Sequence, residues 1–266
     1  METFELYNGK VKLQFEPNKH KYTVTVGGKT FKPVSVTGVT GIVDKSGPLI
    51  GWATNNVVNY IRDTVKPDRP YSETELEQIL ATAKKQSYYK KKEAANIGTD
   101  THKWLELYFS GKNPQLPGES EHHRQAVEAA LKWVEQHKVE FLFNEQPIYS
   151  VKYKFSGRMD GIASVDNTPT LVDFKSGNNI YDEAWLQTAA YNFAWEEEHK
   201  GAPEIDQRLV IRLGKTDGHF YSQIKNRKSL KPDWNGFLGA LKLYTRLSEI
   251  KKESKELDTS KTWLDE

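Results

Sequence analysis

The stretch SGRMDGIASVDNTPTLVDFKSG, residues 156–177, constrains this chain more than any other. Two apolar runs flank the turn-forming Asp166–Asn167–Thr168–Pro169, which predicts a β-hairpin. Each run carries charge where a core strand has none: Asp160 in the first, Asp173 and Lys175 in the second. With a four-residue turn, Val165 faces Thr170, Asp160 faces Lys175 and Ile162 faces Asp173. Side chains alternate along a strand, and opposed residues share a face. Arg158, Asp160, Asp173 and Lys175 then lie together, and Met159, Ala163, Val165, Val172 and Phe174 form the opposite, core-like face. A turn longer or shorter by one residue splits the charged set.

Two carboxylates on adjacent strands can hold a divalent cation, and such hard oxygen ligands suit Mg²⁺ or Mn²⁺. A lysine two residues after one of them stays on the same side. It can hold a phosphate oxygen or orient an attacking water. A cation lowers the pKa of water and neutralises charge developing on phosphorus. Together these groups are equipment for phosphodiester hydrolysis. The plainer alternative is a surface hairpin with solvated acids and lysine, since D-x-K alone is a common tripeptide.

Composition narrows the field. The 266 residues are 37% hydrophobic, enough for one large domain with a sizeable core. There is no cysteine, which excludes disulfides, zinc–thiolate sites and cysteine-held iron–sulfur clusters. Net charge is only +2, so a nucleic-acid partner must be argued from a local basic patch. No run approaches the length of a membrane span, and METFELYNGK has no signal-like apolar core. The expected location is the cytoplasm, or a host's cytoplasm for a phage-encoded chain.

Along the chain, residues 11–26 read as a hairpin around Pro17–His20, and 49–64 as a helix. Ser72-Glu73-Thr74-Glu75 is a capping box that starts a helical stretch reaching about Phe109. A helix follows from Glu119 to Lys138, then strands, a helix over 182–199, strands at 205–213 and 218–225, and a helix over 234–250. This order predicts an α/β (α+β) fold with a central mixed sheet flanked by helices. One domain is expected: an N-terminal β region (1–45), a helical region (46–138), a catalytic core (139–250) and a charged, fraying tail (251–266).

Two further patterns accompany the hairpin. Gly98 lies four residues before His102 on a strongly helical stretch, and Gln187 lies four before Tyr191 on another. The order G-x-x-x-H, G-x-x-D, D-x-K, Q-x-x-x-Y resembles the RecB-like exonuclease branch of the PD-(D/E)XK nuclease superfamily. Its matching residues are Gly98 and His102, Gly157 and Asp160, Asp173 and Lys175, Gln187 and Tyr191. His20, Tyr22 and Ser35-Val36-Thr37-Gly38 are similar to phage-encoded members.

The resemblance implies a restriction-endonuclease-like core and Mg²⁺- or Mn²⁺-dependent cleavage of DNA, at single-stranded or duplex ends. It makes His102, Asp160, Asp173 and the Phe174 carbonyl metal ligands, and has Lys175 activate or position the water. Gln187 and Tyr191 would support the site or touch the DNA backbone. Glu145 matches an acidic position of some relatives, but reads rather better as a solvated strand end. Arg158 reads either as a phosphate ligand or as a surface arginine. Lys84, Lys85, Lys90, Lys91 and Lys92, interleaved with Tyr88 and Tyr89, are the basic, aromatic patch that could feed a strand to the metal; a solvated helix face is the alternative. Gly214-Lys215-Thr216 lacks the earlier glycine of a phosphate loop, since Leu209 stands there, so no ATP is expected. A recombination or replication protein is a conceivable partner. The rival activities are a structure-specific endonuclease and an inactive nuclease-fold DNA-binding module.

Overall fold

The hairpin closes more tightly than its sequence predicts. In the computed structural model, which describes residues 1–202 and 204–261, β7 (Phe155–Val165) and β8 (Thr168–Lys175) are joined by Asp166 and Asn167 alone. These two sit at φ 50° and 65°, a region that Asp and Asn tolerate better than most residues, so a two-residue turn forms. Val165 therefore pairs with Thr168, and Ile162 with Leu171 rather than Asp173. The register differs from the expected one by two residues, which preserves parity. Pro169 enters β8 just before β9 joins at Thr170.

The β7–β8 ladder ends at Gly161–Val172. Asp160 and Asp173 are the first residues past that last pair, at a fork between the strands. Beyond the fork β7 continues along β6 (Val139–Tyr149), and its first residues pair in parallel with β5 (Val34–Ser35). On the far side β8 runs parallel to β9 (Gln207–Leu213), which pairs antiparallel with β10 (Phe220–Asn226). The mixed sheet thus has the order β10–β9–β8–β7–β5, with β6 on the other edge of β7. Residues 214–219, including Gly214-Lys215-Thr216, make the β9–β10 turn, where Gly218 takes φ 60°.

Helices cover both faces. α3 (Glu73–Phe109) and α4 (Glu121–Gln136) cover one; α1 (Val36–Thr40), α5 (Glu183–Glu198) and α6 (Leu230–Lys261) the other. α3 begins at the expected capping box: Ser72 Oγ accepts from the Glu75 amide, and the Glu75 carboxylate accepts from the Ser72 amide at 2.9 Å. It then runs unbroken for 37 residues. α4 buries Ala126, Ala129 and Ala130, whose small side chains let it approach the sheet, and anchors with Trp133. α2 (Ser46–Thr64) lies along α3. Lys251–Lys261, expected to fray, continue α6 instead; the rest of that tail lies outside the described residues. No helix among the described residues is long and apolar enough to cross a membrane.

Met159 departs from its expected face. It packs with Phe155 and Ile162 in the α5–α6 core, whereas Ala163, Val165, Val172 and Phe174 pack under α3 and α4. The inward parity of β7 changes between Met159 and Ile162. Just beyond it the β6 register shifts, from Phe141 opposite Ala163 to Phe143 opposite Ile162, and such irregularities sharpen local twist.

A second, antiparallel sheet precedes the main one: β1 (Glu2–Leu6), β2 (Val11–Glu16), β3 (Lys21–Val26) and β4 (Lys29–Phe31). Its small core closes over Tyr149 at the end of β6.

Candidate metal centre

Three elements converge at the fork. α3 delivers His102, β6 delivers Glu145 and β7 delivers Asp160. His102 Nδ1 lies 3.2 Å from Asp160 Oδ1 and 3.7 Å from Glu145 Oε1. One ligand atom of each residue falls within 4.8 Å of the other two. The second Asp160 oxygen accepts the Phe174 amide at 2.6 Å, which fixes the carboxylate across the fork. The Phe174 ring itself is buried in the α3–α4 core.

Glu145 is not the solvated strand end that its sequence context favours. Its side chain is 15% exposed and turned toward His102. Its backbone takes φ 51°, an uncommon conformation for a non-glycine residue. Arg158 holds it there, with Nε 3.2 Å from the Glu145 carbonyl and 2.8 Å from its carboxylate. The same guanidinium reaches Glu2 at 2.9 Å and Glu106 at 3.7 Å. Arg158 therefore meets three carboxylates instead of standing free for a phosphate. The polar run Asn144-Glu145-Gln146, which interrupts β6 between Phe141-Leu142-Phe143 and Pro147-Ile148-Tyr149, is the sequence signal that marks this position.

Asp173 takes a different set of partners. Lys175 Nζ lies 3.0 Å and 2.8 Å from its two oxygens. Gln187 Oε1 accepts from Lys175 at 3.2 Å, and Gln187 Nε2 donates to the Tyr191 hydroxyl at 2.9 Å and to Asp173 Oδ1 at 3.4 Å. The chain Asp173–Lys175–Gln187–Tyr191 thus links β8 to α5.

Negative charge is crowded here, and the titrations follow. Burial disfavours the His102 imidazolium, but Asp160 and Glu145 outweigh burial and raise it to about 10. Burial likewise opposes ionisation of Asp160, yet His102 holds its carboxyl below the usual range. Burial pushes Asp173 up to about 6 although Lys175 opposes it. Burial and the neighbouring carboxylates keep the Tyr191 phenol neutral. The donors are carboxylate oxygens and one imidazole nitrogen, a set that fits a divalent cation. Asp173 Oδ2 is buried and accepts no hydrogen bond of good geometry, only the nearby ammonium's charge, so it can serve a cation too.

The motif glycines have steric reasons. A Cβ on Gly98 would stand 2.9 Å from Ser176 Oγ, next to Lys175. A Cβ on Gly157 would stand 2.7 Å from the ring of Tyr191, which is only 3% exposed. Gly157→Ala is accordingly expected to cost about 1–3 kcal/mol by overpacking, measured as a lower chemical-denaturation midpoint. An unchanged midpoint would show that Tyr191 has room to move.

The lysines and tyrosines divide. All lie exposed on the middle of α3. Lys84, Tyr88, Lys91, Ala95, Gly98 and His102 recur at spacings of four and three, so they form one stripe along the helix. Tyr89 and Lys92 instead line a depression beside Ser120 and His123 at the start of α4. Lys85 and Lys90 lie off the stripe. A cleft of about 550 Å³ holds the centre, and the small sheet forms one wall of it through Phe15, His20 and Tyr22. That wall escapes sequence reasoning, because nothing local in residues 15–22 says which element they meet.

Residues 119–264 match the family model of the PD-(D/E)XK nuclease superfamily, a segment containing Glu145, Asp160, Asp173, Lys175, Gln187 and Tyr191 but not His102. No curated protein matches the chain. Among solved structures, an alkaline exonuclease (LHK-Exo) from Laribacter hongkongensis is similar over 85% of this chain and 94% of its own, at 12% identity and a TM-score of 0.32. Since the family model spans more than half of its length, the chain belongs to the PD-(D/E)XK nuclease superfamily.

Proposed function

We propose that the chain hydrolyses DNA phosphodiester bonds with Mg²⁺ or Mn²⁺, working from strand ends. The observation that carries this reading is the meeting of His102, Glu145, Asp160 and Lys175 in one cleft, with the buried Asp173 held against Lys175. His102, Asp160, Asp173 and the Phe174 carbonyl would hold the cation, and Glu145 joins them on its distance to His102. When bound, the cation supplies Lewis-acid stabilisation of charge on phosphorus and lowers the pKa of a water.

The chain's own groups do the rest. Lys175 donates to a phosphate oxygen or to the attacking water. Gln187 steadies that ammonium and is itself held by Tyr191. Arg158 acts through Glu145 rather than on the phosphate. The stripe from Lys84 to His102, about 27 Å long, would carry a strand toward the centre. The order of the four motifs supports the exonuclease reading.

End-labelled linear DNA and covalently closed circles, incubated with Mg²⁺, Mn²⁺ or EDTA, test this. Metal-dependent loss of linear DNA with circles intact is expected. Cutting of circles overturns the exonuclease reading, and binding without cleavage under either metal overturns the nuclease reading for this chain.

Two predictions follow from the same geometry. Mg²⁺ or Mn²⁺ at about a hundred times its Kd is expected to stabilise the fold by about 2.7 kcal/mol. That is a rise of roughly 5–10 °C in Tm, absent in Asp160→Ala. Lys84→Glu combined with Lys91→Glu is expected to weaken DNA binding and lower its log–log salt slope by roughly 1.5–2. Lys85→Glu with Lys90→Glu, off the stripe, should change it less; equal effects would deny the stripe its role.

A further inference from the structure

The wall of the cleft that the small sheet supplies has no part in the chemistry above. Phe15 on β2 and Tyr22 on β3 are cross-strand partners, and their rings stack with centroids 4.7 Å apart and planes 27° apart. Phe15 also meets the His20 ring at 6.1 Å. All three rings line the cleft that holds His102, Asp160 and Lys175. Exposure grows along the set: Phe15 is buried, Tyr22 is half-buried and His20 is exposed.

Turn formation does not account for the imidazole. Pro17 opens a 3₁₀ turn, and His20 closes it at φ 47° and ψ 45°, donating its amide to the Pro17 carbonyl at 3.2 Å. Glycine or asparagine fills such a left-handed position at less cost. The His20 side chain makes no hydrogen bond or ion pair with any described residue. Tyr22 presents a neutral phenol, pushed by burial up to about 12 with Arg158 opposing. The wall is also tied to the centre, since Glu2 of β1 reaches Arg158 at 2.9 Å.

We infer that the Phe15, Tyr22 and His20 rings form a stacking platform for an unpaired nucleobase beside the phosphate at the metal centre. The inference rests on the nuclease reading of that centre. Ring faces accept the face of any base, and base–aromatic stacking tolerates sequence. A base inside a duplex is already stacked on both sides. The platform therefore favours a strand that is single or frayed at the point of cleavage.

Binding in the Lys175→Ala background with Mn²⁺, read by anisotropy of a fluorescein-labelled single-stranded oligonucleotide, tests the platform. His20→Ala is expected to weaken binding roughly 5- to 100-fold, and His20→Phe to restore it, since a phenyl ring stacks but offers no hydrogen bond. The same oligonucleotide made abasic should bind the His20 protein more weakly by a similar factor, and lose nothing further with His20→Ala. An unchanged affinity in His20→Ala, or equal losses for abasic and normal strands, overturns the platform. Cleavage by the unsubstituted chain, assayed in parallel, separates the two readings. If cleavage persists while these losses are missing, the platform alone fails; if no metal supports cleavage or binding, both fail.

Discussion

Asp173→Ala and Lys175→Ala are each expected to lower hydrolysis of linear DNA by at least about a thousandfold, the scale set by loss of a charge-stabilising or proton-handling group. Asp173 touches Lys175 through both oxygens, and Gln187 touches both residues. They act as one unit. The double variant should then be little worse than either single one, because effects within such a unit are far from additive. Lys175→Arg should not rescue: a planar fork cannot occupy the place of a compact ammonium between Asp173 and Gln187. Single-turnover rates on end-labelled DNA measure this. Activity surviving within tenfold in Asp173→Ala would remove this carboxylate from the centre.

The second large effect concerns stability. Arg208→Ala is expected to cost about 3–5 kcal/mol, the range for breaking a buried ion pair, or roughly 6–20 °C in Tm. Arg208 projects from β9 with only 1% of its side chain exposed. Its guanidinium donates to the Trp185 carbonyl at 2.9 Å, to Ser229 at 3.0 Å and to Asp233 at 2.7 Å. It thus pins the first turns of α5 and α6 to the sheet. Asp233 keeps Lys225 at 3.2 Å when the arginine is removed, so Arg208→Met, which refills the volume, should recover part of the loss. Calorimetry of the three proteins decides: a melting point within 2 °C of the parent, taken as about the smallest meaningful shift, would mean that Asp233 and the α5 carbonyl find other partners. Because Trp185 lies two residues from Gln187, Arg208→Ala should also loosen the lysine's support and lower activity in the surviving folded fraction.

Much of the site is legible in the sequence because its logic is local. Parity along two short strands gathers Asp160, Asp173 and Lys175, and an i, i+4 spacing pairs Gln187 with Tyr191. The two-residue turn changes the expected register yet spares the inference, since a shift of two keeps parity. Glu145 is a different case. It reaches His102 only because β6 and α3 approach across 43 residues of sequence, and its left-handed backbone cannot be read from an alternating pattern. Met159 fails for a related reason: strict alternation assumes one inward parity along the strand, and that of β7 changes between Met159 and Ile162. The tail misleads because charge is compatible with a long exposed helix as readily as with fraying.

The unbroken course of α3 has one more consequence. Its lysines and its histidine are mounted on a single screw. One residue added or removed between Lys91 and Gly98 would rotate Lys84, Tyr88 and Lys91 by about 100° about the axis, swinging them out of phase with His102. Seven added residues would nearly restore the phase while lengthening the track by about 10 Å. Changes in length in the non-helical connection between α2 and the Ser72 cap, residues 65–71, carry no such penalty. On the proposed reading of the stripe, its reach along a strand could therefore be retuned in whole double turns, and hardly in any smaller step.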